Sequence, residues 1–158
     1  MSGEQKTNVM RLLEQAGVAY RAHFCPDRTA VNGVQVAALL GLDAAAVFKT
    51  LVTVGKSGAN YVFVIPVAKE LDLRKAARAA GEKSVEMLPA KQLLSLTGYV
   101  HGGCSPIGMK KRFPTFVDES AVSLPKMFFS AGKIGIQVEL CPAELLRLLP
   151  CRSAGLTD

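Results

Sequence analysis

The sequence predicts a mixed α/β fold of the α+β kind: a curved, largely antiparallel or mixed sheet with helices packed around it. Three observations lead there. Short apolar segments with a strand's period are interleaved with segments that follow a helix's period. Glycine or proline punctuates nearly every junction between them. The 158 residues contain no internal repeat, low-complexity linker or break in composition, so residues 1–158 read as one domain able to bury a sizeable core.

Taken in order, Thr7 or Asn8 can cap a helix whose apolar residues Val9, Leu12, Leu13 and Ala16 share a face, and Gly17 ends it. Val18 to Phe24 alternates as a strand does, until Pro26 and Asp27 break it. Val34 to Leu40 reads as a helix closed by Gly41. Val47–Val54 and Tyr61–Val67 read as an antiparallel hairpin around the turn-rich Gly55–Asn60. Asp72 can cap a helix over Leu73–Ala80, and Pro89 opens another that runs to about Ser95, with a short strand at Ser84–Met87 between them. A long loop spans Thr97 to Arg112, and long ordered loops tend to be functional. Thr115–Val117, Lys126–Ser130 and Ile134–Leu140 read as strands, and Pro142 opens a last helix through Leu149.

Composition narrows the function classes. A hydrophobic fraction of 49% and a charged fraction of 20% suit a folded chain rather than a disordered one. No apolar run reaches the roughly 18–20 residues of a membrane span. The segment MSGEQKTNVM lacks the apolar stretch of a signal peptide, so a cytoplasmic location and no membrane partner are expected. The four cysteines form no C-x-x-C pair and only His23 and His101 could join them, so no metal is expected. A net charge of +6 favours a polyanionic partner. Lys110, Lys111 and Arg112 are consecutive, and Arg74, Lys75 and Arg78 share one helical segment. An aromatic content of 6%, without tryptophan, argues against a stacking platform for single-stranded bases.

Three segments could carry chemistry. Lys49 lies in the apolar run Val47-Phe48-Lys49-Thr50-Leu51-Val52. Either it is an edge-strand lysine facing solvent, or its amine meets an anion or carbonyl within a site. The loop Gly102-Gly103-Cys104-Ser105-Pro106-Ile107-Gly108 could bring backbone N–H groups and the Ser105 hydroxyl close to a phosphate, carboxylate or ribose, or could be a tight turn. It matches neither a P-loop nor a nucleophile elbow. Cys104 has no evident base beside it, and His23 reads as a structural histidine. Gln137 and Glu139 share one strand face, which could be solvated.

Together these segments resemble the YbaK family of aminoacyl-tRNA editing proteins, related to the editing insertion of bacterial prolyl-tRNA synthetases. The resemblance runs from Lys6-Thr7-Asn8-x-Met10 through Val47-Phe48-Lys49-Thr50-Leu51, Pro66-Val67-Ala68 and Leu71-Asp72-Leu73-Arg74-Lys75. It continues in Thr97-Gly98-Tyr99-Val100-x-Gly102-Gly103-x-Ser105-Pro106-x-Gly108-x-Lys110-Lys111 and closes with Ser130-Ala131-Gly132-Lys133 and Glu139-Leu140. It implies a deacylase of mischarged tRNA of the cysteinyl-tRNA(Pro) type, with Lys49 as the key pocket lysine and no metal or organic cofactor. It also implies that Gly102, Gly103, Ser105, Pro106 and Gly108 line the site for the terminal adenosine and aminoacyl group. Tyr20, Cys25 and Gln137 are candidate pocket residues. Cys25 stands where the family tends to carry tyrosine, and Gln137 where it tends to carry aspartate, so aminoacyl specificity is the property these departures touch. Lys110, Lys111 and Arg112 are candidate contacts to the tRNA backbone, and prolyl-tRNA synthetase is the partner the resemblance suggests. The rival classes are a non-catalytic tRNA- or synthetase-binding module and a hydrolase or transferase using Cys104.

Overall fold

The computed structural model describes residues 6–26 and 32–158; Asp27, expected to help end the first strand, lies outside them. Thr7 caps α1 (Asn8–Gln15), its Oγ1 accepting from the Met10 N–H at 3.2 Å, and Val9, Met10 and Leu13 enter the core. β1 (Arg21–Phe24) starts later than the expected Val18. The Val18 N–H is spent on the Leu13 carbonyl, and the Tyr20 hydroxyl reaches back to Glu14 at 2.6 Å, so this stretch closes the helix instead of entering a ladder.

α2 (Gly33–Leu40) is followed by the expected hairpin of β2 (Phe48–Gly55) and β3 (Asn60–Pro66), with Lys49 opposite Ile65 and Thr50 opposite Val64. Asp72 caps α3 (Leu73–Ala80), accepting from the Arg74 and Lys75 amides. Then come β4 (Val85–Met87), α4 (Ala90–Thr97), β5 (Thr115–Asp118), β6 (Met127–Ser130), β7 (Ile136–Leu140) and α5 (Pro142–Leu148). β7 begins at Ile136 rather than Ile134 because Lys133–Gly135 form the turn: Gly135 has φ +84° and the Ile136 N–H bonds to the Lys133 carbonyl. A last strand, β8 (Cys151–Ala154), has no sequence signature. It is recruited by parallel backbone pairing with β5.

The strands form a five-stranded sheet, β4-β2-β3-β5-β8, and a three-stranded sheet, β1-β7-β6. The larger sheet is mixed: β3, β5 and β8 run parallel, while β2 is antiparallel to both β3 and β4. Among the described residues one parallel bridge, between Val47 and Phe128, links the two sheets. The domain is thus the α+β arrangement of mixed strands and surrounding helices that the sequence predicts, with the strands divided between two sheets.

β3 explains the packing. Its Val62 and Val64 join the main core with Val9, Leu13, Phe129 and Val138. Its Phe63 and Ile65 face the opposite way into a second core with Ala76 and Ala77 of α3 and Phe116, whose ring stacks on Phe63 at 5.4 Å. A strand covered on both faces has no polar side, which is why Tyr61–Val67 reads as a continuous apolar run. Phe129 is fully buried between the smaller sheet and the main core. Phe129→Ala is expected to cost about 3–5 kcal/mol in denaturant unfolding; a loss under 1 kcal/mol would mean this junction is not packed as described.

Candidate active site

The site arises where β2 runs out of neighbours. One edge of β2 is paired with β3 throughout. The other edge meets β6 only through the Val47–Phe128 bridge, and meets β4 only from Thr53 onward. Between these points no strand pairs with Lys49–Leu51 on that side among the described residues. A cavity of about 410 Å³ opens over this gap. Its wall includes Lys49, Thr50 and Leu51 of β2, the start of α2, His101, Gly102 and Cys104 of the long loop, and Ser130 and Gln137 of the smaller sheet.

α2 is held against the gap by a small apolar cluster of Ala37, Val47 and Val67. A Cβ at Gly33 would lie 2.5 Å from Val67 Cγ1, so only glycine lets the helix start approach this closely. Asn32 caps the helix by accepting from the Val34 N–H at 2.7 Å, and both residues line the cavity. The positive end of the helix dipole therefore sits beside Lys49.

Lys49 meets both descriptions open to it from sequence: it is an edge lysine, and the edge faces a cavity. Its side chain is 29% exposed, and its ammonium has one loose partner, Glu70 Oε2 at 3.4 Å. Glu70 is itself 89% exposed, so the pair is screened and weak. The ammonium is free to meet an incoming anion or carbonyl.

Gln137 is 7% exposed, so its strand face is not a solvated one. Register places His23 directly opposite it, and Glu139 two residues along on the same face. His23 Nε2 lies 2.7 Å from Glu139 Oε1, and its ring meets Phe128 edge-on at 5.4 Å. His23 is thus a satisfied, structural histidine.

The glycine loop, read from sequence as one substrate-binding unit, is divided. Gly102 and Cys104 line the Lys49 cavity. Gly103 is buried where a Cβ would stand 3.1 Å from the Ile134 nitrogen. Ser105 is fully buried, and its Oγ accepts from the Ile107 N–H at 3.3 Å, a turn-stabilising bond within the loop. Pro106 and Gly108 line a different cavity of about 260 Å³, together with Lys111, Arg112, Phe113 and Leu148–Pro150. Lys110 points elsewhere: its Nζ lies 3.5 Å from the Ser95 carbonyl, near the C-terminal end of α4. Cys25 packs under α2 against Val36 and Leu40, and Tyr20 is turned to Glu14; neither lines a cavity described here. Sequence reasoning gave no role to Thr50, His101 or Ser130. The signals available were the polar pair Lys49-Thr50 inside an apolar strand and the place of Thr50 and Ser130 within the segments that carry the resemblance.

Cys104 faces the cavity, yet burial pushes its thiol up to about 12. Near neutral pH it is a protonated thiol and a poor nucleophile. Among the described residues no group of three or more His, Cys, Asp or Glu could hold a metal ion. Among the same residues no helix is long and apolar enough to cross a membrane. Because folding raises the Cys104 thiol from 9.0 to about 12, the stability it contributes is complete below pH 9.0 and is lost as pH climbs toward 12. Iodoacetamide near neutral pH is expected to label Cys104 far more slowly in the folded protein than in the unfolded chain, read by mass spectrometry of the peptide. Equal rates would contradict this burial.

Comparisons with known proteins agree with this architecture. The model of the aminoacyl-tRNA editing domain matches residues 27–148. EbsC of Enterococcus faecalis, by its name a candidate Cys-tRNA(Pro)/Cys-tRNA(Cys) deacylase, is 47% identical over 155 residues, which cover 98% of this chain and 94% of the relative. The crystal structure of a hypothetical protein superposes with a TM-score of 0.87 at 26% identity, covering 95% of this chain and 99% of the other. That of a candidate trans-editing enzyme for prolyl-tRNA synthetase superposes with a TM-score of 0.84 at 27% identity, covering 95% and 94%. The cavity over the β2 gap therefore sits in a chain that belongs to the aminoacyl-tRNA editing domain family.

Proposed function

We propose that this chain is a cytosolic trans-editing deacylase that hydrolyses the ester of mischarged tRNA, with Cys-tRNA(Pro) as its principal substrate. The observation that carries this reading is the loosely held Lys49 ammonium in an open cavity beside a helix N-terminus, where ester oxygens gain charge in the reaction. A synthetase gains only about 1–3 kcal/mol from a small difference between apolar side chains, so a second enzyme acting on the product is the chemical remedy. The names carried by EbsC and by the trans-editing structure support the choice of substrate.

Lys49 stabilises the oxyanion as the carbonyl is attacked, an interaction stronger in the transition state than in the bound ester. The attacking group is water or, for a cysteinyl ester, the substrate's own thiol. In the thiol case the sulfur bonds to the carbonyl carbon, the bond to the ribose oxygen breaks, and that oxygen takes the proton. His101 favours the water route: it is an exposed imidazole in the cavity wall and the one histidine there. Lys111 and Arg112, with Arg74 and Arg78 on α3, supply the exposed positive charge for the tRNA backbone. Lys75 contributes less, because its Nζ is bonded to the Thr157 carbonyl at 2.6 Å. Prolyl-tRNA synthetase is the partner that would present the tRNA.

Single-turnover deacylation of Cys-tRNA(Pro), Ala-tRNA(Pro) and Pro-tRNA(Pro) tests the reading. Cys-tRNA(Pro) should be lost quickly and Pro-tRNA(Pro) spared, with Lys49→Ala slower by on the order of 10²–10³. Turnover of none of them would make the chain a binding module. A wild-type rate in Lys49→Ala would remove the lysine from the chemistry. A second experiment follows tRNA affinity against salt. Lys111→Ala with Arg112→Ala should flatten the log–log slope by about 1.5, as expected for two lost phosphate contacts; an unchanged slope would place the tRNA elsewhere.

A further inference from the structure

Two side-chain oxygens in the Lys49 cavity have no hydrogen-bond partner. Among the described residues, Thr50 Oγ1 and Gln137 Oε1 are the buried side-chain polar atoms left unsatisfied, and both residues line this cavity. Buried polar groups are almost always paired, because losing water without a replacement costs free energy. Two exceptions in one cavity, contributed by different sheets, point to a ligand that completes them.

The surroundings explain why the protein does not. Thr50 shares its strand face with Phe48 and Val52 and lies opposite Val64, all apolar. Thr53, the other threonine of β2, is different: its hydroxyl donates to the Tyr61 carbonyl at 3.0 Å. Beside Gln137 in register stand Ser130 and His23. Ser130 Oγ accepts from the Gly132 N–H at 3.0 Å and His23 Nε2 pairs with Glu139, and neither residue bonds Gln137 Oε1. Gln137 Oε1 can only accept, and Thr50 Oγ1 can accept as well as donate.

Gln137 Oε1 therefore lacks a donor, and a group with more than one donor can satisfy Thr50 Oγ1 as well. The reacting end of a cysteinyl ester of tRNA carries three donor groups: the vicinal ribose hydroxyl and the thiol, with one donor each, and the α-amino group, which alone has enough N–H bonds to serve both oxygens at once. The Lys49 ammonium and the start of α2 make their part of the cavity positive, which draws ester and phosphate oxygens there and leaves the amino group for the neutral oxygens. We propose that Thr50 and Gln137 read the free α-amino group of the aminoacyl ester, so that the site accepts unblocked aminoacyl-tRNA and spares N-acylated forms such as peptidyl-tRNA. This inference rests on the deacylase reading and names the substrate class that the same site admits.

The test compares Cys-tRNA(Pro) with N-acetyl-Cys-tRNA(Pro) in single-turnover deacylation by the wild type, Thr50→Val and Gln137→Leu. Thr50→Val keeps the side chain's shape and replaces an unpaired buried hydroxyl with a methyl group, so its thermal midpoint should hold or rise. The wild type should strongly prefer the free amine. Each variant should lose roughly tenfold on the free-amine substrate, about the worth of one hydrogen bond, with little change on the acetylated one. Wild-type rates in both variants would overturn the assignment. So would equal losses on the two substrates, or a wild type indifferent to acetylation. If the wild type turns over neither substrate, the deacylase reading itself fails, and this assignment with it.

Discussion

Backbone N–H and C=O groups must be paired or wetted, and strand β2 cannot pair both of its edges along its whole length. β3 occupies one edge completely. The other is shared between β6, which touches it at Val47, and β4, which joins at Thr53. The unpaired interval at Lys49–Leu51 is where the two sheets part, and the cavity fills it. An open strand edge is normally a liability. Here it is roofed by α2 and the His101–Cys104 stretch, which turns a packing defect into a recess with backbone, cation and carbonyl groups on its walls. Because β2 alternates, Lys49 and Thr50 lie on opposite faces, and only a recess that straddles the edge can be lined by both.

The same geometry separates tasks that lie side by side in sequence. Gly102 and Cys104 belong to the Lys49 cavity, while Pro106 and Gly108 belong to the cavity near Lys111 and Arg112. The buried Ser105 lies between them and stabilises the turn through its Ile107 bond. Tyr99 donates to the Ile107 carbonyl at 2.5 Å, and a Cβ at Gly108 would lie 2.8 Å from that same Tyr99 hydroxyl. With φ at +82°, Gly108 is constrained twice over. Gly103 and Gly108 are thus both held by close packing, while Gly102 and Gly108 each also line a cavity.

The fold was largely readable from sequence because most elements have local causes. The Thr7 and Asp72 caps, the β2–β3 hairpin and the doubly buried β3 each carry their own signature. β8 has none, since its place comes from backbone pairing with β5. The site divides along the same line. Lys49 stood out as a charge in an apolar strand, and Gln137 as a polar residue in another. Thr50 and His101 did not, because nothing local says that β2's edge is open or that the loop folds over it. Ser105, Pro106 and Gly108 were grouped with Gly102 through the resemblance, and nothing local says that Pro106 and Gly108 line a second cavity while Ser105 is buried. Lys110 looked equivalent to Lys111 in sequence, and only the structure shows its Nζ 3.5 Å from the Ser95 carbonyl at the end of α4.

The central claim is that the aminoacyl end of the substrate occupies the recess over the β2 gap. The direct measurement is a structure, or backbone and side-chain NMR shifts, with a non-hydrolysable 3′-aminoacylamido-adenosine. The account predicts contacts or shifts at Lys49, Thr50, Gly102 and Gln137, with Pro106 and Phe113 unaffected. Binding confined to the cavity beside Lys111 and Phe113, with Lys49 undisturbed, would contradict it.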